Sequence, residues 1–141
     1  MKKILTSLSG LITLTLLIIS CSDGGKKIQG HWNIVEYDCI FTSSHQLTTI
    51  TTYPRLLFSF YPDGTFNCNT DCNALSGNYI ADDTNLSFSD ISSTEIACEN
   101  ELIERSLKVL IPEVETYELS GDSIINMYDK KGSLLIRLSR R

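Results

Sequence analysis

Five cysteines and two histidines supply most of the nucleophilic and metal-ligating chemistry open to this 141-residue chain. The first cysteine closes the run Leu17-Ile18-Ile19-Ser20-Cys21, in which branched apolar residues and one small residue precede a thiol. That order suits cleavage before Cys21 and acylation of its sulfur, because a signal peptidase pocket tolerates a small side chain beside the cut. The other four, Cys39, Cys68, Cys72 and Cys98, form an even set, which in an exported domain implies disulfides with three possible connectivities. Metal binding is the competing chemistry, with Cys68 and Cys72 joined by His31 or His45. Those histidines lie far upstream and no second Cys-x-x-Cys pair accompanies them, so no metal is expected. A dithiol redox centre would place Cys-x-x-Cys at the start of a helix. Here three residues separate Cys68 from Cys72, and Asn69, Asp71 and Asn73 favour turns. Structural cross-links are the expectation.

Catalytic patterns are missing from the sequence. It has no Gly-x-Ser-x-Gly elbow, no phosphate-cradling glycine loop and no His-Glu-x-x-His. Two of the 17 acidic residues could meet in space as a glycosidase pair, but no spacing singles out such a pair. The chain is therefore expected to be non-enzymatic and to need no cofactor.

The start of the chain supports the reading of Cys21. Lys2 and Lys3 give a positive n-region, and Ile4 to Ile19 is apolar apart from Thr, Ser and one Gly. That stretch falls short of the ~20 residues that span a bilayer comfortably as a helix. An uncleaved anchor with an incidental cysteine is the alternative. The expected segments are thus a lipoprotein signal peptide over 1–20, a lipidated tether over 21–29 and one folded domain over 30–141. Several acyl chains at ~0.8 kcal/mol per buried CH2 would hold it stably on a membrane. Ser22, rather than Asp, follows the cysteine, a pattern that resembles outer-membrane sorting. Ser22 to Lys27 offers nothing apolar to bury and reads as flexible.

Loss of residues 1–20 leaves 10 basic against 17 acidic residues, a net charge of −7 over 121 residues. That length suits one core. An acidic domain without a basic stripe argues against nucleic acid as a partner. Lys130, Lys131, Arg137, Arg140 and Arg141 near the C-terminus are better explained by a turn and a solvated chain end.

Strand signals dominate the chain beyond the tether. Ile28 to Ile40 predicts an early strand with residues to bury on both faces, and 41–52 a Thr/Ser-rich loop or edge. Leu56–Phe60 and Thr65–Asn69 flank Tyr61-Pro62-Asp63-Gly64, a strong hairpin turn. Ser76–Ile80 and Leu86–Phe88 flank a polar tip in which Asp82 and Asp83 are expected to be solvated. One helix is predicted over Asn100–Leu110, with Ile103, Leu107 and Leu110 on its apolar stripe, Leu102 and Val109 widening it, and Pro112 ending it. A meander of Val114–Leu119, Ser123–Tyr128 and Leu134–Leu138 completes an antiparallel α+β domain of about eight short strands and a single helix.

The order of these features resembles the META domain family (HslJ-like bacterial lipoproteins), over about Gly30 to Leu138. The most specific part is Cys72-Asn73-Ala74-Leu75-Ser76-Gly77-Asn78-Tyr79, similar to the family's Gly-Cys-Asn-x-x-x-Gly-x-Tyr. Leu86-Ser87-Phe88 resembles its Leu-x-Phe strand, and Thr94-Glu95-Ile96-Ala97-Cys98 its Thr-x-x-Ala-Cys. Trp32 after Gly30 matches an early Gly-x-Trp, and Tyr117, Gly121 and Asp122 a later turn. Asp71 stands where the family has Gly, and Glu99 where Pro often follows the cysteine; Asp can adopt αL, so the turn is expected to survive. The resemblance implies a sheet curved around the helix and Cys72 beside Cys98. By exclusion it pairs Cys39 with Cys68, each link contributing roughly 3 kcal/mol. Within the motif Asn73 is expected to bond local backbone, Gly77 to permit a bulge and Tyr79 to fill the core. The other reading has these same residues lining a ligand groove.

The expected role is that of a lipid-anchored envelope protein that binds or supports another envelope component, and the resemblance to the META family implies a place in stress response or secretion. Two alternatives stand beside it. One is a lipocalin-like binder of a small apolar ligand, which a filled core would remove. The other is an inhibitor of a cell-wall-degrading enzyme, acting through an exposed loop near Tyr53 or Tyr61.

Overall fold

The computed structural model describes residues 23–40, 46–51 and 56–141. Cys21, His45 and Tyr53 lie outside the described residues. A four-residue helix, α1 (Gly24–Lys27), leads into β1 (Gly30–Cys39), β2 (Gln46–Thr49), β3 (Leu57–Phe60), β4 (Thr65–Asn69), β5 (Ala74–Ala81) and β6 (Leu86–Ser93). Then come α2 (Leu102–Glu113), β7 (Thr116–Ser120), β8 (Ile124–Tyr128) and β9 (Leu134–Arg140). All pairings are antiparallel, in the order β6-β5-β4-β3-β1-β9-β8-β7, with β2 paired to the far half of β1. Residues 46–49, expected as loop or ill-defined edge, thus form a short edge strand. The two ends of the sheet approach each other at Asn85 and Thr116, an isolated bridge flanked by Leu86 N–H to Glu115 O at 3.1 Å and Tyr117 N–H to Thr84 O at 2.8 Å. The result is a half-barrel pinched shut at one point.

Strand β1 shows how the sheet acquires its inner face. Simple alternation from Trp32 and Ile34 would bury Glu36 and Asp38. A bulge opposite β9, between Ile34 and Glu36, shifts the period by one. Tyr37 and Cys39 therefore join Trp32 and Ile34 in the core. The interior is filled by rings: Phe58 stacks on Phe66 at 5.5 Å, Phe66 meets Phe88 at 4.9 Å, and Phe60 meets Tyr79 edge-on at 5.0 Å.

Helix α2 closes this core with Leu107, Leu110 and Ile111 buried. It starts two residues later than expected and runs through Pro112, which sits in the last turn. There the proline costs one backbone hydrogen bond, and Val114 N–H closes the end on Ile111 O. The expected stripe of Ile103, Leu107 and Leu110 does face the core, but Leu102 and Val109, expected to widen it, are exposed, and Ile111 widens it instead.

The chain start differs most. Gly24–Lys27, expected to be a flexible tether, is helical and docked. Gly24 is buried against the β5–β6 tip, where a Cβ would lie 2.5 Å from Asp83 Cα. Ile28 is fully buried and accepts a 2.7 Å hydrogen bond from Trp32 Nε1. The described residues thus hold two helices, with α2 the one in the core.

Candidate functional site

Four of the motif residues, Cys72, Asn73, Thr94 and Cys98, meet at one corner, where the β4–β5 turn, the segment leaving β6 and the first turn of α2 converge; Gly77 and Tyr79 lie elsewhere on β5. Cys72 and Cys98 are disulfide-bonded there, with Cα atoms 5.9 Å apart. Cys98 is exposed and Cys72 half-buried. The link pins the irregular segment that joins β6 to α2.

Asn73 is the hub. Its side-chain oxygen accepts from Thr94 Oγ1 at 2.8 Å and from Ile96 N–H at 2.7 Å. Its amide nitrogen donates to Glu104 Oε2 at 2.9 Å and to Ile96 O at 3.2 Å, and its backbone N–H also reaches Glu104 Oε2 at 3.0 Å. The expected local turn bonding is present, with Asn73 O accepting from Thr70 N–H at 2.9 Å and Thr70 Oγ1 at 2.6 Å, and the side chain adds contacts more than twenty residues away. Thr94 joins the same network: its hydroxyl also accepts from Ala74 N–H at 3.1 Å.

Glu104 is the buried partner that sequence reading missed. It is 1% exposed and carries an ion pair to Lys108 in addition to the two bonds from Asn73. Burial by itself would raise its pKa; the bonds from Lys108 and Asn73 outweigh that and hold the carboxyl below the ordinary glutamate range. A signal did exist. Glu104, Leu107 and Ile111 stand at i, i+3 and i+7, which places the acid on the face that packs inward.

Asp71 has a second role that sequence reading assigned to backbone conformation. Among the described residues the only non-glycine with positive φ is Asp90, so Asp71 is not αL. Its carboxylate instead accepts from Ile103 N–H at 3.2 Å and Glu104 N–H at 3.0 Å. It caps α2 from another element, satisfying backbone donors that Glu101, at the helix start, leaves uncapped.

Farther along β5, Gly77 lies at a register shift between Ser76 and Asn78, opposite Asp90 at φ 52°. A Cβ at Gly77 would stand 2.6 Å from Ser89 O and 3.0 Å from Phe66, so the close approach expected of it is present. Tyr79 is buried as expected, and its hydroxyl donates to Tyr61 O at 2.8 Å.

The second expected disulfide is not formed: Cys39 and Cys68 are both buried and no bond joins them. Register gives the reason. Cys68 pairs with Phe58, which pairs with Trp32. Cys39 is seven residues farther along β1, roughly 23 Å of strand. Burial pushes the Cys68 thiol pKa upward, leaving a neutral, unreactive group.

His31 stands on the outer face of β1 with Nδ1 2.8 Å from Ser59 Oγ. Among the described residues no three His, Cys, Asp or Glu side chains gather as metal ligands. Outside the corner lies a depression of about 580 Å³ bordered by Leu57, Asn69, Thr70, Thr94, Ile96 and Arg141. Asn73 and Cys72 form part of its wall. Such a surface can bind, but its motif side chains are already engaged internally.

Three comparisons place this geometry among known proteins. A family model described as the META domain matches residues 26–141. An NMR structure of a protein from Burkholderia xenovorans superposes with a TM-score of 0.63 at 12% identity, covering 84% of this chain and 86% of that one. A crystal structure of a DUF4847 family protein from Bacteroides vulgatus gives 0.55 at 12% identity, covering 81% and 94%. No curated protein matches. At that identity the two solved structures speak for the fold.

Proposed function

The chain belongs to the META domain family, and from that premise we propose that it is a lipid-anchored bacterial envelope protein whose domain binds or supports another envelope component without catalysis. The observation that carries the non-catalytic reading is the internal commitment of the motif. Asn73, Thr94 and Glu104 direct their polar atoms at one another and at backbone, and the two motif cysteines are cross-linked. A catalytic acid or nucleophile must present its reacting atom to substrate, whereas Glu104 and Asn73 are buried.

Anchoring is supported by the Leu17-to-Cys21 run after a short apolar leader. Among the described residues no helix is long and apolar enough to cross a membrane. The half-barrel interior is occupied by the phenylalanine cluster and α2, which leaves the apolar-ligand alternative without its cavity there. For the inhibitor alternative, Tyr61 is an exposed ring at a hairpin turn.

The deciding measurement is mass spectrometry of the protein recovered from envelopes. The mature chain is expected to begin at an acylated Cys21, and Cys21→Ser to remain uncleaved and unacylated. A chain that starts at Met1 and takes up no labelled fatty acid overturns the proposal.

A further inference from the structure

Lipid on Cys21 and the docking of α1 together fix more than attachment. Only Ser22 separates Cys21 from Asp23, the first described residue, so the lipidated Cα lies within about 7 Å of it. From Gly24 onward the chain is seated on the domain. A Cβ on Gly25 would stand 2.9 Å from Ala81 O, Arg140 donates to Lys27 O at 3.0 Å, and Ile28 is part of the core. A leash this short leaves the domain little freedom to turn over.

We infer that the end of the half-barrel bearing α1 and the β3–β4, β5–β6 and β7–β8 turns rests against the bilayer surface. The disulfide corner is then displayed outward. This inference rests on the lipid anchor proposed above.

The surface around α1 has the make-up for shallow contact. Tyr61 and Ile80 are exposed, the latter to 75%, and Pro62 and Ile80 share one shallow depression with Lys26. Tyrosine at such a place suits the headgroup level. The same turns carry Asp63, Asp82, Asp83 and Asp122. Hydrogen bonds from Thr65 hold Asp63 ionised to lower pH than usual, and bonds from Asn85 and Thr84 do the same for Asp82. Lys26 and Lys27 in α1, with Arg140 beside it, nearly balance these acids, and a surface of mixed charge suits a zwitterionic bilayer. The opposite end of β5 is Ala74, seven residues or roughly 23 Å of strand away, beside Asn73 and the depression next to it. A partner protein would therefore meet the disulfide corner without competing with lipid.

The test uses lipidated full chains in vesicles of phosphatidylcholine and phosphatidylethanolamine with brominated acyl chains. Tyr61→Trp reports the α1 end, and Lys131→Trp, in the β8–β9 turn beyond the other end of β9, is the comparison; buried Trp32 is subtracted with the unmutated chain. Quenching is expected to be several-fold stronger for Tyr61→Trp. About ten Gly/Ser residues inserted after Cys21, an average reach of roughly 18 Å, should reduce that contrast. Equal or reversed quenching in a chain shown by mass to be acylated overturns the orientation alone. A chain that carries no acyl group overturns both this inference and the anchor on which it rests.

Discussion

Strand β5 is fastened at its two ends by different physics. At Ala74 the hold is directional and polar: one disulfide, one buried carboxylate and an asparagine that bonds both α2 and the segment leaving β6. At Ala81 it is close packing, with Gly24 and Gly25 against backbone, Ile28 under Trp32, and Arg140 stacked 4.2 Å above the Trp32 ring. The polar end contains groups that titrate or can be reduced. The packed end depends on a guanidinium, which stays charged at any ordinary pH, and on glycine. The comparison teaches that one small domain can be made sensitive to reduction at one end and indifferent to it at the other.

Reduction offers the largest way to break that contrast. Opening the 26-residue Cys72–Cys98 loop, or making Cys98→Ser, should lower stability by about 3.5 kcal/mol in the chain-entropy picture. Urea midpoints with and without reductant measure it, and an unchanged midpoint would remove the cross-link from the account. Gly24→Ala comes next, at about 2 kcal/mol, because the added methyl meets the backbone of Asp82 and Asp83. Its cost should be the same with the disulfide open or closed, within about 0.5 kcal/mol, since the sites lie at opposite ends. Strong coupling would show that the ends are not independent.

Acid sharpens the comparison further. The folded-state pKa of Glu104 lies below its ordinary 4.5. Its contribution is therefore complete above that ordinary value and is lost as pH falls through the lowered folded value. Glu104→Gln should be less stable than the unmutated chain at neutral pH, with a shallower loss below pH 4.5. Gly24→Ala should keep the full acid dependence. A Glu104→Gln profile parallel to that of the unmutated chain would count against the buried carboxylate.

The strand ladder was legible because the turns are local. Pro62-Asp63-Gly64 and Asp129 to Gly132 specify hairpins within four or five residues, and Gly64 and Gly132 adopt the positive φ that such turns use. The β1 bulge was not legible, since a shift at Ile34/Glu36 is set by pairing with β9 a hundred residues later. The same limit explains the cysteines. Cys72 and Cys98 were paired by resemblance and are bonded. Cys39 and Cys68 were paired by exclusion, and register separates them. Of the corner, Asn73, Thr94 and the two cysteines are legible in the motif, as are Gly77 and Tyr79 farther along β5. The Glu104 signal was present in the helical period but hidden by its charge. The capping role of Asp71 could not be read, because its partners are more than thirty residues away.

Asp71 provides the smallest and most discriminating test. At its position the family pattern has glycine, which has no carboxylate to offer a helix on another element. Asp71→Gly and Asp71→Ala should each cost about 1 kcal/mol, the usual value of a lost cap. Asp71→Asn keeps an acceptor oxygen and should cost less. All three should speed amide exchange at Ile103 and Glu104 while leaving Leu110 and Ile111, at the other end of α2, unaffected. Were Asp71→Gly instead to stabilise the protein, the carboxylate would not be what fixes the helix start. The bonds to Ile103 and Glu104 would then follow from the turn geometry instead of causing the helix to start there.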